Sequence, residues 1–478
     1  MEKEKGINKM GVMSIKKLLI TMGIPMMVSM ALQAVYNIVD AIFVSQMKDT
    51  PAIKNMGDYA SNALTLAFPI QMLMVAVGVG TGVGINALLS RYIGAGQKDK
   101  AGKIAGNSIF LGICTYIIFL VFSILGINVY VSSQTSDPII IEMTTSYLKI
   151  CTTLSFGITM YLVFEKLLQA TGRTIQTTIA QITGACVNII LDPIMIFGYF
   201  GMPSMGIEGA AYATVIGQCV TCLIDMVFHF KYNNRDFETK ISYIKPDVKI
   251  IKEIYKIGIP AIIMQALMSF TTYGVNIIFG QVSTSAVTAY GIYYKIQQFV
   301  FFAAFGMNNA MIPVIAFNYG MKNKKRIKQG IKYGILYTVA IMGVGLIILQ
   351  IFAVPIISIF ALSDETRKLC VLAIRIITLG YLFVGANIAY QGIYQALGHG
   401  ISSLVLSLLR LVVISLPLAW VFTKIPYVES MIWMAFPIGE VISFVVGIFI
   451  MKSISKKDID TINEQIYEEG GSLIEEAN

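Results

Sequence analysis

Gly23-Ile-Pro25, followed by Ala31-Leu32, returns later in the chain as Gly258-Ile-Pro260 followed by Ala266-Leu267, at a constant offset of 235. Three further matches keep the same order. Gly96-Gln-Lys-Asp-Lys100 ahead of Gly106 pairs with Gly320-Met-Lys-Asn-Lys324 ahead of Gly330, Gln169-Ala-Thr-Gly172 with Gln395-Ala-Leu-Gly398, and Ile216-Gly-Gln218 with Ile438-Gly-Glu440. Across the four matches the offset drifts only from 235 to 222, so the chain is built twice from one unit.

Each unit reads as a membrane lobe. Of 478 residues 56% are apolar and 13% charged, against about 25% charged in soluble domains, and the mean hydropathy is +0.72. Apolar stretches of about 20 residues or more, long enough to cross a bilayer, fall six before and six after the charged segment 231–256. The expected fold is therefore all-α, with twelve transmembrane helices in two six-helix lobes. The expected organisation is an N-terminal lobe over 1–230, a linker over 231–256, a C-terminal lobe over 257–455 and a solvated tail over 456–478. Six spans per half start both halves on one side, which makes the repeat parallel and its pseudo-twofold axis run along the membrane normal.

Net charge of +9 might suggest nucleic acid, but its distribution points to a membrane. Of 36 Lys and Arg, 27 lie in alternate hydrophilic segments (3–17, 91–103, 166–173, 231–256, 322–332 and 452–457). Only Lys48, Lys54, Arg367, Lys368 and Lys424 fall in the opposite set. The positive-inside rule then puts both termini on the cytoplasmic side of a bacterial inner membrane. The first apolar run continues past Asp40, too far for a cleavable signal. Six cysteines, nearly all within apolar runs, are expected to be free, buried thiols. Cys219-x-x-Cys222 with His229 is weak as a metal site, and apolar packing is the expected role. His229 and His399 have no partner motif, so no enzyme activity and no cofactor are expected. The expected state is a monomer in the lipid bilayer, with no nucleic-acid partner.

Polar residues inside the spans fall into stripes. Asn188-Ile-Ile-Leu-Asp192-Pro193 places an amide and a carboxylate on one helix face, and Gln181 extends it. An ionisable group at bilayer depth costs several kcal/mol unless it meets a cavity or a partner, so Asp192 marks a functional site. Gln33, Tyr36, Asn37 and Asp40 share a face of span one, and Tyr161, Glu165 and Gln169 a face of span four. In the second lobe the stripes are Gln265, Ser269, Thr272 and Asn276; Tyr290, Tyr294 and Gln297 or Gln298; and Asn387, Gln391 and Tyr394. Singly, such residues are explained by helix–helix hydrogen bonds; as a set they line something polar. Gln33, Tyr36, Asn37, Tyr161, Asn276 and Tyr290 are the expected substrate contacts. Asp40, Glu165 and Asp192 are the central carboxylates of the first lobe, whereas the second has none between Glu253 and Asp364 and carries Lys295, Arg375 and Arg410. Ion coupling is therefore expected in the first lobe, and Arg375 and Arg410 are expected to snorkel or to contact backbone carbonyls. Lys295 remains a secondary candidate for a role in the site. Pro25 frees the carbonyl of Thr21 and is the expected hinge of span one, able to move Asp40 relative to Asp192.

These residues resemble the multidrug and toxic compound extrusion (MATE) family, and within it the bacterial branch of DinF-like and MepA-like exporters. The similarity covers about residues 10–455. It is carried by Gly-x-Pro with Asp40, by the Gly96 loop, by Asn188-x-x-Leu-Asp-Pro-x-x-Ile-Phe-Gly198, and by Gly206-Ile-Glu-Gly-Ala-Ala-Tyr-Ala-Thr214-Val-Ile-Gly217. The resemblance implies a V-shaped exporter of amphipathic cations that works by alternating access and antiports H⁺ or Na⁺. It implies a proton or Na⁺ site at Asp40, Asn188, Asp192 and Thr214, and a substrate role for Glu165. One departure is clear: the NorM-like branch carries carboxylates in spans seven and ten, and Gln265-Ala-Leu-Met-Ser269 and Ala386-Asn-Ile-Ala-Tyr-Gln391 have none. A flippase for a lipid-linked precursor is the alternative reading, but it would need a strongly cationic cavity, against which the first-lobe carboxylates argue.

Overall fold

A computed structural model describes residues 8–49, 54–360 and 362–462, and every regular element among them is helical. Helices are what apolar segments of this length must form, because a bilayer offers no partner for an open backbone N–H or C=O. In the first lobe the spans are Ile15–Ser45, Met56–Gly94, Lys98–Leu125, the bent pair Pro138–Thr153 with Phe156–Ala170, Thr174–Phe197 and Ile207–Tyr232. The second lobe has Val248–Gly280, Thr284–Gly320, Lys324–Ser358, Asp364–Ile377 continued by Tyr381–Ala396, Gly400–Leu408 continued by Ser415–Phe422, and Val428–Ile454. Eleven of these helices are long and apolar enough to cross a membrane, and the pair bent by 46° in span four makes the twelfth.

Local sequence sets several boundaries. Asp137 accepts from the Ile139 and Ile140 amides and Pro138 occupies the first turn, a strong helix start. Asp247 caps span seven in the same way through Lys249 and Ile250, so Lys249, Lys252 and Lys256, expected in the linker, lie on the helix itself. Span eleven is interrupted by a π-helical turn at Leu409–Val413. The tail from Lys456 does not leave the protein at once. Ser455–Ile459 winds on as a π-helical turn and buries Ile459, while 463–478 lie outside the described residues. Cys151, Cys222 and Cys370 are buried as expected, whereas Cys186 is exposed on the outer face of span five.

Contacts between helices repeat with six added to each span number. Span five packs on six as eleven does on twelve, four on six as ten on twelve, and one on five as seven on eleven. Across the lobes, one packs along eight and seven along two. That reciprocal exchange is what a twofold axis between the lobes produces. It is visible atom by atom where spans two and eight end. A side chain on Gly94 would collide with the Phe317 carbonyl, and one on Gly320 with the Arg91 carbonyl. Gly94 is thus the partner of Gly320, at an offset of 226. The sequence match of Gly96 with Gly320 was two residues out of register, and the partner of Gly96 is Lys322. Both occupy the left-handed region, Gly96 at φ 72° and Lys322 at φ 56°. Only glycine holds that conformation without strain. Lys322→Gly is expected to stabilise the protein by about 1 kcal/mol, read as a higher melting midpoint in detergent; an unchanged or lower midpoint would oppose the assignment.

The two lobes share a core at only one end. Leu18, Leu19, Met22 and Met26 of span one join Val83 and Ala87 of span two, Ile257 and Ala261 of span seven, and Met307 to Phe317 of span eight. Ile454 and Ile459 belong to the same cluster, so both described chain ends lie there. Toward the other end the buried residues form separate clusters, one around Val44 and Ala63 and one around Val275 and Trp433. In outline the molecule is a V.

A short helix, Lys9–Val12, straps the closed end. Asn8 donates to the Thr171 carbonyl of the first lobe at 3.1 Å and to Asp236, just beyond that lobe's last span, at 2.8 Å. Two residues on, the Met10 carbonyl accepts from Asn318 at 3.2 Å and from Arg326 at 2.8 Å, both of the second lobe. Arg326 also donates to the Met13 carbonyl at 2.8 Å.

Candidate functional site

In the first lobe, spans one, four, five and six enclose a cavity of about 50 Å³. Gln33 and Tyr36, Tyr161, Gln181 and Asn188, and Thr214 and Gln218 line it. This volume is far below the roughly 300–1,000 Å³ of ordinary ligand pockets. Asn188 donates to Asp192 Oδ1 at 3.3 Å and, more weakly, to Thr214 Oγ1 at 3.5 Å. Asp192 is fully buried, and its carboxylate lies close enough to that of Asp40 for the two to repel each other. Tyr36 lies within reach of both carboxylates.

Three acceptor oxygens are left over. Asp40 Oδ1, Asn188 Oδ1 and Asp192 Oδ2 are buried with no donor among the described residues. A buried acceptor left unmatched costs about 1–3 kcal/mol, so three of them mark a place shaped for a species that brings positive charge. A proton shared by the carboxylates would satisfy them. So would a hard cation, which prefers carboxylate, amide and hydroxyl oxygens. Of the four residues expected to form the ion site, Asn188 and Thr214 line the cavity; Asp192 meets it through the Asn188 amide, and Asp40 is not among its lining residues.

Pro25 lies where span one changes neighbours. Gly23 packs on Met307 and Ala310 of span eight, and Gly306 of that span packs on Met27. From Ser29, which donates to Thr178 of span five at 2.9 Å, the helix also engages its own lobe, while Met30 still accepts from Asn309 of span eight at 3.8 Å. The helix continues through Pro25 from Ile15 to Ser45. The side chain of Asn37 lies outside the described residues.

Other expected site residues are placed differently. Glu165 lines neither cavity; its carboxylate accepts from Gln169 at 2.5 Å and lies 3.7 Å from the Lys166 ammonium, which donates to Gln169 at 2.9 Å. All three are buried, so Lys166 is a core cation and not a charge of the cytoplasmic turn. Asn276 is exposed and outside the lining. Thr272, one turn earlier, lines the cavity, but Asn276 does not. Lys295 and Arg375 are exposed. Asp225 of span six was missed: it is fully buried, with both oxygens unpartnered among the described residues, and the Glu165 charge reaches it. The signal was available, since an aspartate interrupts the apolar run four residues before His229. His229 is buried and hydrogen-bonded to Asn233 at 2.9 Å.

The second lobe encloses a larger cavity, about 250 Å³, bordered across the cleft by Met30 and Val83. Tyr290 lines it as expected, with Gln265, Thr272 and Gln391 from the predicted stripes. Arg410 does not snorkel. Its Nε and Nη2 donate to Glu440 Oε1 at 2.9 and 2.8 Å, and Asn387 donates to Glu440 Oε2 at 2.8 Å. The second lobe therefore has a buried carboxylate of its own, in span twelve.

A family profile described as MatE matches residues 25–194 and 260–421, one stretch in each half. The multidrug export protein MepA of Staphylococcus haemolyticus (strain JCSC1435) is 26% identical over 444 residues, covering 93% of this chain and 95% of the relative. MepA of Staphylococcus aureus (strain MRSA252) is 26% identical over 417 residues, covering 87% and 89%. A solved structure described as the outward-facing conformation of a multidrug resistance MATE family transporter of the MOP superfamily superposes with a TM-score of 0.86. It is 23% identical and covers 96% of this chain and 100% of that one, a likeness of fold.

Proposed function

This chain belongs to the multidrug and toxic compound extrusion family of membrane transporters, and on that premise we propose that it exports amphipathic, often cationic, small molecules in exchange for H⁺ or Na⁺. The observation that carries the coupling is that Asp40, Asn188 and Asp192 each keep a buried acceptor oxygen with no donor among the described residues. The exchange has a simple physical logic. A proton or Na⁺ bound there cancels charge that otherwise repels within the pair, so the loaded and empty sites favour different packings of span one on span five. Pro25 is the point about which that packing changes. Export of drugs is supported by the MepA relatives, both named for multidrug export.

The proposed domain plan is one lobe over 1–230, the other over 257–455, and a connection between them. Lys and Arg cluster in the loops at the closed end of the V, which the positive-inside rule assigns to the cytoplasm. On that assignment both termini are cytoplasmic and the cleft opens outward. A single chain contains both lobes of the cleft, so the working unit is a monomer.

The test is reconstitution. Purified protein in liposomes loaded with ethidium, under an imposed pH or Na⁺ gradient, should release dye faster than under no gradient, and the gradient that works identifies the ion. Equal rates in all three conditions would remove the coupling from this reading.

A further inference from the structure

The two cavities are counterparts under the repeat, and their differences identify a second site. Gly217 packs on the Gly184 carbonyl and the Asn188 side chain, and Gly439 packs on the Arg410 carbonyl and the Ser415 side chain. Arg410 therefore stands at the place of Gly184, Ser415 at that of Asn188, and Glu440, next to Gly439, at that of Gln218. The π-helical turn at Leu409–Val413 accounts for the extra residue between Arg410 and Ser415. Four residues beyond Ser415, where the first lobe has Asp192, is Ala419; at the place of Asp40 is Val275. Both are fully buried and apolar. The second lobe has lost the ion site and gained a charge pair, in a chamber of about 250 Å³ against about 50 Å³.

That chamber has a definite chemistry. Among the described residues Glu440 is its only carboxylate, and it already receives Arg410 Nε and Nη2 and Asn387. A cationic ligand finds no open anion there. Arg410 is different, because a guanidinium has five N–H donors. Nη1 and the second Nη2 proton have no partner among the described residues, and these form the end-on edge that matches a carboxylate through two parallel hydrogen bonds. Phe301, Phe305, Tyr294 and the near-parallel pair of Tyr290 and Phe436 supply flat apolar walls. The volume lies near the small end of ligand pockets, about 300–1,000 Å³, the size of a few fused rings.

We propose that the second-lobe cavity binds flat aromatic molecules that carry a carboxylate, with the end-on edge of Arg410 as the anchor and Glu440 holding that guanidinium in place. As cargo this ligand rests on the export reading above; its binding does not.

The probes are a rhodamine with a free carboxylate and its methyl ester, which share one ring system. Their affinities are measured by fluorescence anisotropy with the full chain in nanodiscs. Wild type should bind the acid about tenfold or more tighter than the ester, the scale of a hydrogen bond to a charged group. Arg410→Gln/Glu440→Gln, which removes both charges at nearly constant volume, should bring the ratio close to one. Equal affinities in wild type would overturn the proposal without any variant. A folded double variant that keeps the wild-type ratio would overturn it as well. Export of both dyes is measured alongside in liposomes. An acid that is bound with this preference but never exported, while ethidium is, leaves the site standing and removes the acid as cargo. If ethidium is not exported either, the export reading falls and the site stands. Export of the acid with no preference in binding removes the site and leaves the export reading.

Discussion

Liposomes carrying Asp192→Asn, or Asp40→Asn, are expected to move dye no faster under an ion gradient than without one. Asparagine keeps the size of the side chain and an oxygen for the Asn188 amide that now donates to Asp192, so folding should survive. What disappears is the ability to bind a proton or pair with a cation. One pH unit is worth about 1.4 kcal/mol per proton, and 100 mV about 2.3 kcal/mol per charge. A neutral solute exchanged for one proton could then accumulate several hundredfold. For a monovalent cation the exchange moves no net charge, so one pH unit sustains about tenfold. In either variant that ratio should fall to about one, measured as dye distributed across everted vesicles at steady state. Wild-type accumulation in both would sink the placing of the coupling site.

Arg410→Met should be far more damaging to stability than its position suggests. The guanidinium is almost completely buried, and removing it leaves Glu440 as an ionised group with only Asn387 to donate to it. Breaking a buried ion pair from one side typically costs about 3–5 kcal/mol, whereas replacing both partners by apolar residues is often neutral or better. Arg410→Met alone is expected to lower the melting midpoint in detergent sharply, and Arg410→Met/Glu440→Met to restore most of it. A single variant that melts with wild type would mean that the pair is well hydrated. A double variant that melts no higher than the single would mean that packing, and not charge, holds spans eleven and twelve together.

Much of the fold was legible because it follows from averages. Twelve apolar runs, alternating Lys and Arg and a drifting repeat do not depend on any one contact. Asn188 and Asp192 were legible too, since four residues on one helix is a local geometry. What escaped is what depends on a neighbour. Glu440 was quoted as a repeat match and its charge passed over, because nothing local says that Arg410 lies across from it. Asp225 belongs to no stripe, so a search by period did not weigh it. Lys166 was counted with the basic loops because it stands near a turn, yet it is folded inward onto Glu165. Asn276 is exposed although Thr272, one turn earlier, lines the cavity: period groups residues on a helix, but the neighbours decide which of them meet a cavity. The register at Gly96 failed because the repeat keeps a backbone conformation there and not a residue.

The strap at Lys9–Val12 bears on how this protein can be handled. Asn8 is tied to one lobe and the Met10 and Met13 carbonyls to the other, so the lobes cannot part at this end until one set of ties lets go. Those bonds add to the stability of the closed end, and in the exchange cycle proposed above they oppose its opening. On that proposal, affinity tags and fluorescent fusions placed ahead of Asn8 act on these ties, and transport rates are best compared between proteins matched for what precedes it.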